Sequence, residues 1–407
     1  MPAYTLKPRD LIFMRDARPM EASDAGLGAN WPRPDQLWHA LFSAFLRQWP
    51  EHQQWEHRHH VRENESASMS HRFGALKTIG PFPLNSRTGE LFLPCPLDLC
   101  ADDDGSLSPM RLVEGGGTNL PAPLTKAFQS VRLGKNQPPA WICKADYDKY
   151  LRGESFNPAK VDLFDIERNI GIAIDPTTHA TIKNKLYQAE YLRLRDNVRF
   201  AFEAECPIIV GNIQKPIDTM AKFLETKESI VIGGQQGVAH LEKTGDSLKL
   251  PGSTAHGNSQ LLRWTLLTPA FYPAIHENSQ KGILAHSGGW LPNWIHAETG
   301  QVMLPREKPV RPPGVNREQW RRSLLGAPKI DARLVAARVG KPLIFSGWDL
   351  STGPKPTGMT VPPGSCYLFD CKDKADLLAL NKALTHQTRS TLFGEKGYGV
   401  GVCSQIS

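Results

Sequence analysis

Residues 390–403 read STLFGEKGYGVGVC, and the spacing of their glycines organises the reading of the chain. Gly397, Gly399 and Gly401 alternate, with Gly394 just ahead of them. In an extended backbone, residues two apart share a face, so these three would leave one face without side chains. A phosphate–ribose backbone approaching that face would meet peptide N–H groups directly. Lys396 and Tyr398, set between the glycines, would supply a charge and a stacking ring. The same pattern suits a glycine-rich hairpin or a tight contact between domains, because glycine in strands marks bulges and close packing.

Working outward, a helix is expected just upstream, from about Lys374 to Thr385. Leu377, Leu380 and Leu384 define its apolar face and Asp373 is placed to cap it. The block ending in the glycine strand begins near Gln260 with LLRWTLLTPAFY, and Leu343–Phe345 and Cys366–Phe369 read as further strands. The first half repeats the succession. A strand over Tyr4–Phe13 is interrupted by Pro8, and a helix is expected from Asp35, its N-cap, to Gln48. Leu37, Ala40, Leu41, Ala44 and Phe45 keep the i, i+3, i+4 spacing there. Then come two strands joined at Thr88-Gly89, a strand pair around the turn Asp175–Thr178, an alternating strand Val198–Glu205, a helix Pro216–Glu225 and a strand Ser229–Ile232. Residues 51–72 read as an exposed loop or frayed helix, and 101–140, rich in Asp, Gly and Pro, as a partly disordered insertion. Strand, helix, hairpin strands, helix, strand is a βαββαβ unit. The expected fold is α+β: two ferredoxin-like domains with long loop and hairpin insertions, over residues 1–245 and 255–407, with no repeat at the residue level.

Composition agrees. A chain of 407 residues is long for one core, and 40% hydrophobic residues suit a folded, soluble protein. No apolar run approaches the roughly 20 residues that span a bilayer, and MPAYTLKPRD at the start has no apolar signal core. Seven scattered cysteines, an odd count, favour reduced thiols and a cytoplasmic setting. The net charge of +7 favours a polyanionic partner.

The sequence supplies no catalytic site, metal site or cofactor motif. There is no Walker loop, nucleophile elbow, HExxH or kinase signature. His52, His57, His59, His60 and His71 lie in a very polar stretch and read as a solvated face. Cys95 with Cys100, and Cys366 with Cys371, share a C-x4-C spacing among apolar neighbours and read as strand core rather than zinc ligands. Asp102, Asp103 and Asp104 read as a solvated turn. Basic residues say more. Arg15 and Arg18 flank a turn after the first strand. Lys183, Lys185, Arg193 and Arg195 lie on or beside the strand pair. Arg389 and Lys396 accompany the glycines. Together with glycine N–H groups these suggest a track along a phosphate backbone. Tyr398 and Trp31 would stack on unpaired bases at ~1–3 kcal/mol each, and Trp31 equally suits a core.

Several stretches, in this order and spacing, resemble one family. They are LIFMRDARPM (11–20), WPRPDQLWHALFSAF (31–45), GELFLPCPLDL (89–99), NIGIAIDPTTHATIKNKLYQAEYLRL (169–194), IVIGGQQGVAHLE (230–242), SGWDLSTGPKPTGMTVPPGSCYLF (346–369) and the glycine run. The chain resembles the RAMP protein that forms the third subunit of the Cmr complex in type III-B CRISPR effectors. The resemblance implies two facing ferredoxin-like domains without a catalytic role. It also implies that the chain holds the 5′ handle of the CRISPR RNA and joins the large polymerase-like subunit to the repeating backbone subunit. Target RNA would be met indirectly, and no cofactor is implied. On that reading Gly394, Lys396, Gly397, Tyr398, Gly399, Gly401 and Arg389, with Arg15 and Arg18, grip the handle, and the strand pair around Asp175–Thr178 reaches out as a thumb. Lys183 and Lys185 extend the track.

Four residues depart from the family pattern. Asp35 and Gln36 stand where small hydroxyl residues usually open the first helix, and a carboxylate there would repel a phosphate. His39 replaces a small residue, and Gln235 follows the glycine pair where an acid is expected. The rival reading is a metal-independent endoribonuclease of the same superfamily, with His39 or His71 paired to a lysine. A third is a protein–protein adaptor without RNA contact.

Overall fold

A computed structural model of the chain describes residues 1–14, 30–49, 73, 75–115, 119–130, 136–208, 217–254, 259–277, 284–307, 314–316, 319–320, 326–346, 348–349, 353–354 and 357–406. In the first half, β1 (Ala3–Pro8) is followed by α1 (Pro34–Gln48), the hairpin β2 (Lys77–Asn85) and β3 (Glu90–Pro94), β4 (Trp141–Cys143) and α2 (Lys144–Leu151). Next come the long ribbon β5 (Phe164–Ile174) and β6 (Thr181–Leu194), then β7 (Val198–Glu205), α3 (Thr219–Leu224), β8 (Ser229–Val231) and β9 (Val238–Gly245). The second half contains β10 (Leu261–Leu266), β11 (Ala332–Arg338), a ribbon of β12 (Leu343–Phe345) with β13 (Gly358–Thr360), β14 (Cys366–Cys371), α4 (Lys374–Leu384) and β15 (Gly401–Gln405).

The first half builds a sheet in the order β8-β9-β1-β7-β2-β3-β4, and the second a sheet in the order β11-β14-β10-β15. Every neighbouring pair in both is antiparallel. The result is a mixed fold, mostly strands with few helices.

Helix α1 starts one residue earlier than its pattern predicts. Pro34, with no N–H to leave unsatisfied, takes the first position, and the Gln36 side chain accepts from the Arg33 N–H at 2.8 Å. Asp35 is therefore not the cap, as expected, but a residue of the first turn. The apolar face of α1 (Leu37, Trp38, Leu41, Phe45) is fully buried, and the Trp38 indole donates to the Leu76 carbonyl at 2.9 Å. Helix α4 is capped as expected: the Asp373 carboxylate accepts from the Asp376 N–H at 2.8 Å.

Three parts depart from expectation. The strand next to β1 is β9 rather than Ser229–Val231, which only pairs outside it. Leu343–Phe345 forms a ribbon with β13 instead of joining the second sheet. The insertion over 101–140 contains structure: Arg111–Glu114 pairs with Lys126–Gln129, and the Thr125 N–H donates to Val335 of the second half at 3.0 Å. Leu112 and Phe128 pack there on Val335 and Leu368.

The halves share a core. Ile79, Phe82, Leu93 and Tyr150 of the first pack with Leu267, Val400 and Val402 of the second. Within this junction Arg263 is 2% exposed and faces Asp98, 1% exposed, at 3.0 Å. Arg263 also donates to the Tyr150 carbonyl at 2.9 Å and the Ser404 hydroxyl at 3.0 Å. The Tyr150 hydroxyl donates to the other Asp98 oxygen at 2.6 Å. Burial opposes the Arg263 charge, but the facing Tyr150 and Asp98 more than compensate and raise its pKa.

Candidate nucleic-acid interface

The glycine run does not form the extended strand expected of it. Gly394–Lys396 make one 3-10 turn, Gly397 and Gly399 take φ of +90° and +76°, and strand β15 begins only at Gly401. A Cβ on Gly397 would lie 2.6 Å from the Thr78 carbonyl oxygen, on Gly399 2.2 Å from the Ser390 nitrogen, and on Gly401 2.3 Å from the Trp264 indole nitrogen. Their N–H groups are used within the chain: Gly397 donates to Gly394 at 3.0 Å, Gly399 to Pro269 at 2.7 Å, and Gly401 lies in the β10–β15 ladder. The bare face offering N–H groups to a phosphate is therefore absent: Gly397 lies against Thr78 of the first half, while Gly399 and Gly401 pack on Ser390 and Trp264 of their own half. The tight-contact reading is what the backbone adopts.

The other residues of the expected grip follow. Tyr398 is fully buried and Lys396 3% exposed, its ammonium 4.8 Å from the Trp38 and Phe393 ring centres and 3.2 Å from His39 Nε2. Neither is a surface contact. Arg389 is half-buried and turns back on α4, donating to the Ala383 carbonyl at 2.6 Å. Gly394 is half-buried at the edge of the turn. Arg15, Arg18 and the histidines at 52, 57, 59, 60 and 71 lie outside the described residues. Lys183 and Lys185 lie on β6, with side chains outside the description. Arg193 pairs with Glu167, and Arg195 with Asp162 at 2.8 Å and Asp165 at 2.6 Å, so these two charges are neutralised by local carboxylates.

What the seam brings together instead is a buried polar chain. Arg33 donates from Nε and Nη2 to the two Asp35 oxygens at 3.0 and 3.2 Å. Tyr398, from the other half, donates to Asp35 Oδ1 at 2.5 Å. Arg33 also reaches the Ser346 carbonyl at 3.4 Å and lies 5.4 Å from the Phe345 ring centre. Burial alone would raise the Asp35 pKa. The Arg33 charge, its hydrogen bonds and that of Tyr398 outweigh it and hold the carboxyl below its usual range. Burial, then the Asp35 charge, push the Tyr398 phenol well up, so it stays a donor. A carboxylate enclosed this way does not face incoming phosphate, which removes the repulsion expected at this position.

Above this chain runs a groove of about 1240 Å³ between the halves. Its walls combine Trp31, Trp141 and many prolines from the first half with Pro269, Leu343 and Ile344 from the second. Among the described residues its charged lining is Arg33 and Arg338, with no carboxylate. The Trp31 indole donates to the Pro81 carbonyl at 2.8 Å, and the ring sits edge-on to Trp141 at 5.4 Å, so it serves both packing and lining. The ribbon β5–β6 rises from the rim, where Ile166 lines the groove. Ile170, Ile172 and Ile174 continue the same strand face, all at least half exposed. Its turn is held by Asp175 Oδ1, which accepts from the Thr177 and Thr178 N–H groups at 2.8 and 2.9 Å, and Thr177 and Thr178 are exposed.

All seven cysteines are buried thiols, and among the described residues no cluster of three or more His, Cys, Asp or Glu is placed to hold a metal. No helix among them is long and apolar enough to cross a membrane.

A family model described as CRISPR-associated protein (Cas_Cmr3) matches residues 4–403. The chain belongs to this family. A chain in the cryo-EM structure of the Type III-B Cmr-beta bound to cognate target RNA and AMPPnP is similar at 12% identity, over 90% of this chain and 86% of that one, with a TM-score of 0.42. A chain in the crystal structure of the Csm3-Csm4 subcomplex of the type III-A CRISPR-Cas interference complex is similar at 12% identity, over 92% and 93%, with a TM-score of 0.34. Comparison with curated proteins gives no match. In this Cas_Cmr3 chain the groove arginines, Arg33 and Arg338, escaped sequence reasoning. Arg33, between two prolines in WPRPD, carried a usable signal, since prolines on both sides fix the backbone of a residue they flank. Arg338 carried none.

Proposed function

We propose that this chain is a non-catalytic RNA-binding scaffold of a type III-B (Cmr) effector complex. It holds the 5′ handle of the CRISPR RNA in the groove between its halves and bridges the large polymerase-like subunit to the backbone subunit. It meets target RNA only through that assembly and works as a soluble, cytoplasmic ribonucleoprotein component. Each half is read as a ferredoxin-like domain: β9-β1-β7-β2 and β15-β10-β14-β11 both place the fourth strand beside the first and the third between first and second. The observation that carries the proposal is the groove lining, which among the described residues has two guanidiniums, two indoles and no carboxylate. Such walls suit a single strand, with bases stacking on aromatic faces and phosphates meeting arginine. The exposed ribbon β5–β6 is the thumb at its rim.

The test is fluorescence anisotropy of labelled RNA carrying the repeat-derived 5′ handle, titrated with the full chain across a salt series. Arg338→Ala should weaken binding and lower the log–log salt slope by about 0.7, the value for one phosphate contact on a single strand. If Arg338→Ala and Arg33→Met both leave affinity and slope unchanged, the groove is not the RNA site.

One observation favours the endoribonuclease as a second reading: Lys396 lies 3.2 Å from His39 Nε2, a histidine–lysine pair. The burial of Lys396 opposes it. Metal-free incubation with repeat RNA decides, since specific cleavage lost in His39→Ala would establish the enzyme.

A further inference from the structure

We infer that Asp35 and Tyr398 are positioning residues for Arg33, so that RNA affinity in the groove depends on a hydrogen bond between the two halves of the chain. The inference rests on the reading of the groove as the RNA site. Among the described residues, Arg33 is the one that both lines the groove and belongs to the buried chain across the seam. Its side chain keeps 17% exposure while that of Asp35 keeps 9%. The carboxylate thus sits behind the guanidinium, and holding Nε and Nη2 fixes the plane of the fork. Asp35 in turn is fixed from the far half by Tyr398, 363 residues away in sequence. The Gly397 turn makes this approach possible, since it lies against Thr78 of the first half next to Tyr398, which is fully buried.

An arginine on a flexible stem would lose rotamer freedom on meeting a phosphate. One already held by Asp35 and Tyr398 loses less. The seam then does more than glue the halves, because it sets the geometry of the cation that meets the ligand. The same arrangement leaves Arg338, exposed on the opposite wall, outside the chain of bonds, which makes it the internal reference.

The experiment is a double-mutant cycle read by anisotropy with the labelled 5′-handle RNA. Its variants are Tyr398→Phe, Arg33→Met, their combination and Arg338→Ala, all in the full chain. Tyr398→Phe removes one oxygen and keeps the ring, and should weaken binding roughly tenfold, the size of one lost charge-assisted bond. In the Arg33→Met background the same change should cost less than about twofold. Asp35→Asn, read the same way, is the second variant should Tyr398→Phe disturb folding, which circular dichroism and the melting midpoint report. If Arg33→Met and Arg338→Ala weaken binding while Tyr398→Phe and Asp35→Asn are silent, or act additively with Arg33→Met, the positioning role is overturned and the groove reading stands. If Arg338→Ala and Arg33→Met are silent, the groove reading itself falls and the inference with it.

Discussion

Arg263→Met tests whether the junction between halves is held by the buried ion pair. Methionine keeps much of the apolar stem but removes the cation facing Asp98, together with the bonds to Tyr150 and Ser404. Asp98, 1% exposed, is left with the Tyr150 hydroxyl at 2.6 Å and the Cys366 thiol at 3.1 Å. Removing one member of such a pair costs about 3–5 kcal/mol, because a charge stays buried without its counter-ion. At about 2.1 cal/mol/K per residue, unfolding 407 residues together carries an entropy near 0.85 kcal/mol/K, so the midpoint should fall about 4–6 °C. Replacing both partners, Arg263→Met with Asp98→Leu, removes the stranded charge, and the Tyr150 hydroxyl still has Thr265 at 2.9 Å. The double variant should recover at least about 2 kcal/mol relative to the sum of the singles. Thermal melts and urea titrations followed by tryptophan fluorescence and circular dichroism measure all four proteins. An Arg263→Met midpoint within about 1 °C of the parent, or strictly additive losses, would refute the claim that the pair couples the halves.

Gly399→Ala should lose more than about 2 kcal/mol, since it adds left-handed strain to a 2.2 Å clash with the Ser390 nitrogen, whereas Gly89→Ala, with φ of +73° and open space, should lose only the strain of about 1–2 kcal/mol; urea titrations of both proteins separate the two. Burial lowers the His386 pKa, partly offset by its bond to the Pro251 carbonyl, so the folded state favours the neutral ring. Its contribution is complete above the unfolded value of about 6.5 and is lost as pH falls from there towards the folded pKa. His386→Asn, which tolerates the φ of 55°, should flatten that limb of the stability–pH profile. Ile170→Ser and Ile172→Ser should each cost less than about 0.5 kcal/mol in thermal melts, because these side chains are 68% and 50% exposed.

Where a residue's partners lie close in sequence, the sequence was legible. The Asp373 cap of α4, the strand Val198–Glu205 and the turn at Thr88-Gly89 all depend on neighbours within a few residues, and they stand as read, although the strand is buried on both faces rather than alternating. Strand β9 was missed because Ala239 and Leu241 are its only buried side chains, too weak an alternation to stand out, though its place beside β1 gives it full pairing. The glycine run misled for a different reason. Alternation in sequence matches a strand face, but two positive φ angles turn it into a packed corner, and only the opposing Thr78 and Ser390 backbones reveal why glycine is required. Asp35 was read as the cap of α1 and is instead a first-turn residue, one of whose partners, Tyr398, lies at the other end of the chain. Of the candidate site, the ribbon and Trp31 could be read, and the groove could not, since its walls are assembled from segments hundreds of residues apart.

The 165-residue separation between Asp98 and Arg263 also sets a timetable. At about 5–20 residues per second of synthesis, the carboxylate leaves the ribosome on the order of ten to thirty seconds before its counter-ion. Tyr398 follows later still. The first sheet can form during that wait, but its junction face, with Tyr150 and the Phe82 region, stays open to water and to other nascent chains until the last strand is released. Premature stops between Gly245 and Gly401 should therefore yield a half that is nearly complete in strands and unable to close, so that Gly401–Gln405 decide whether the junction is covered.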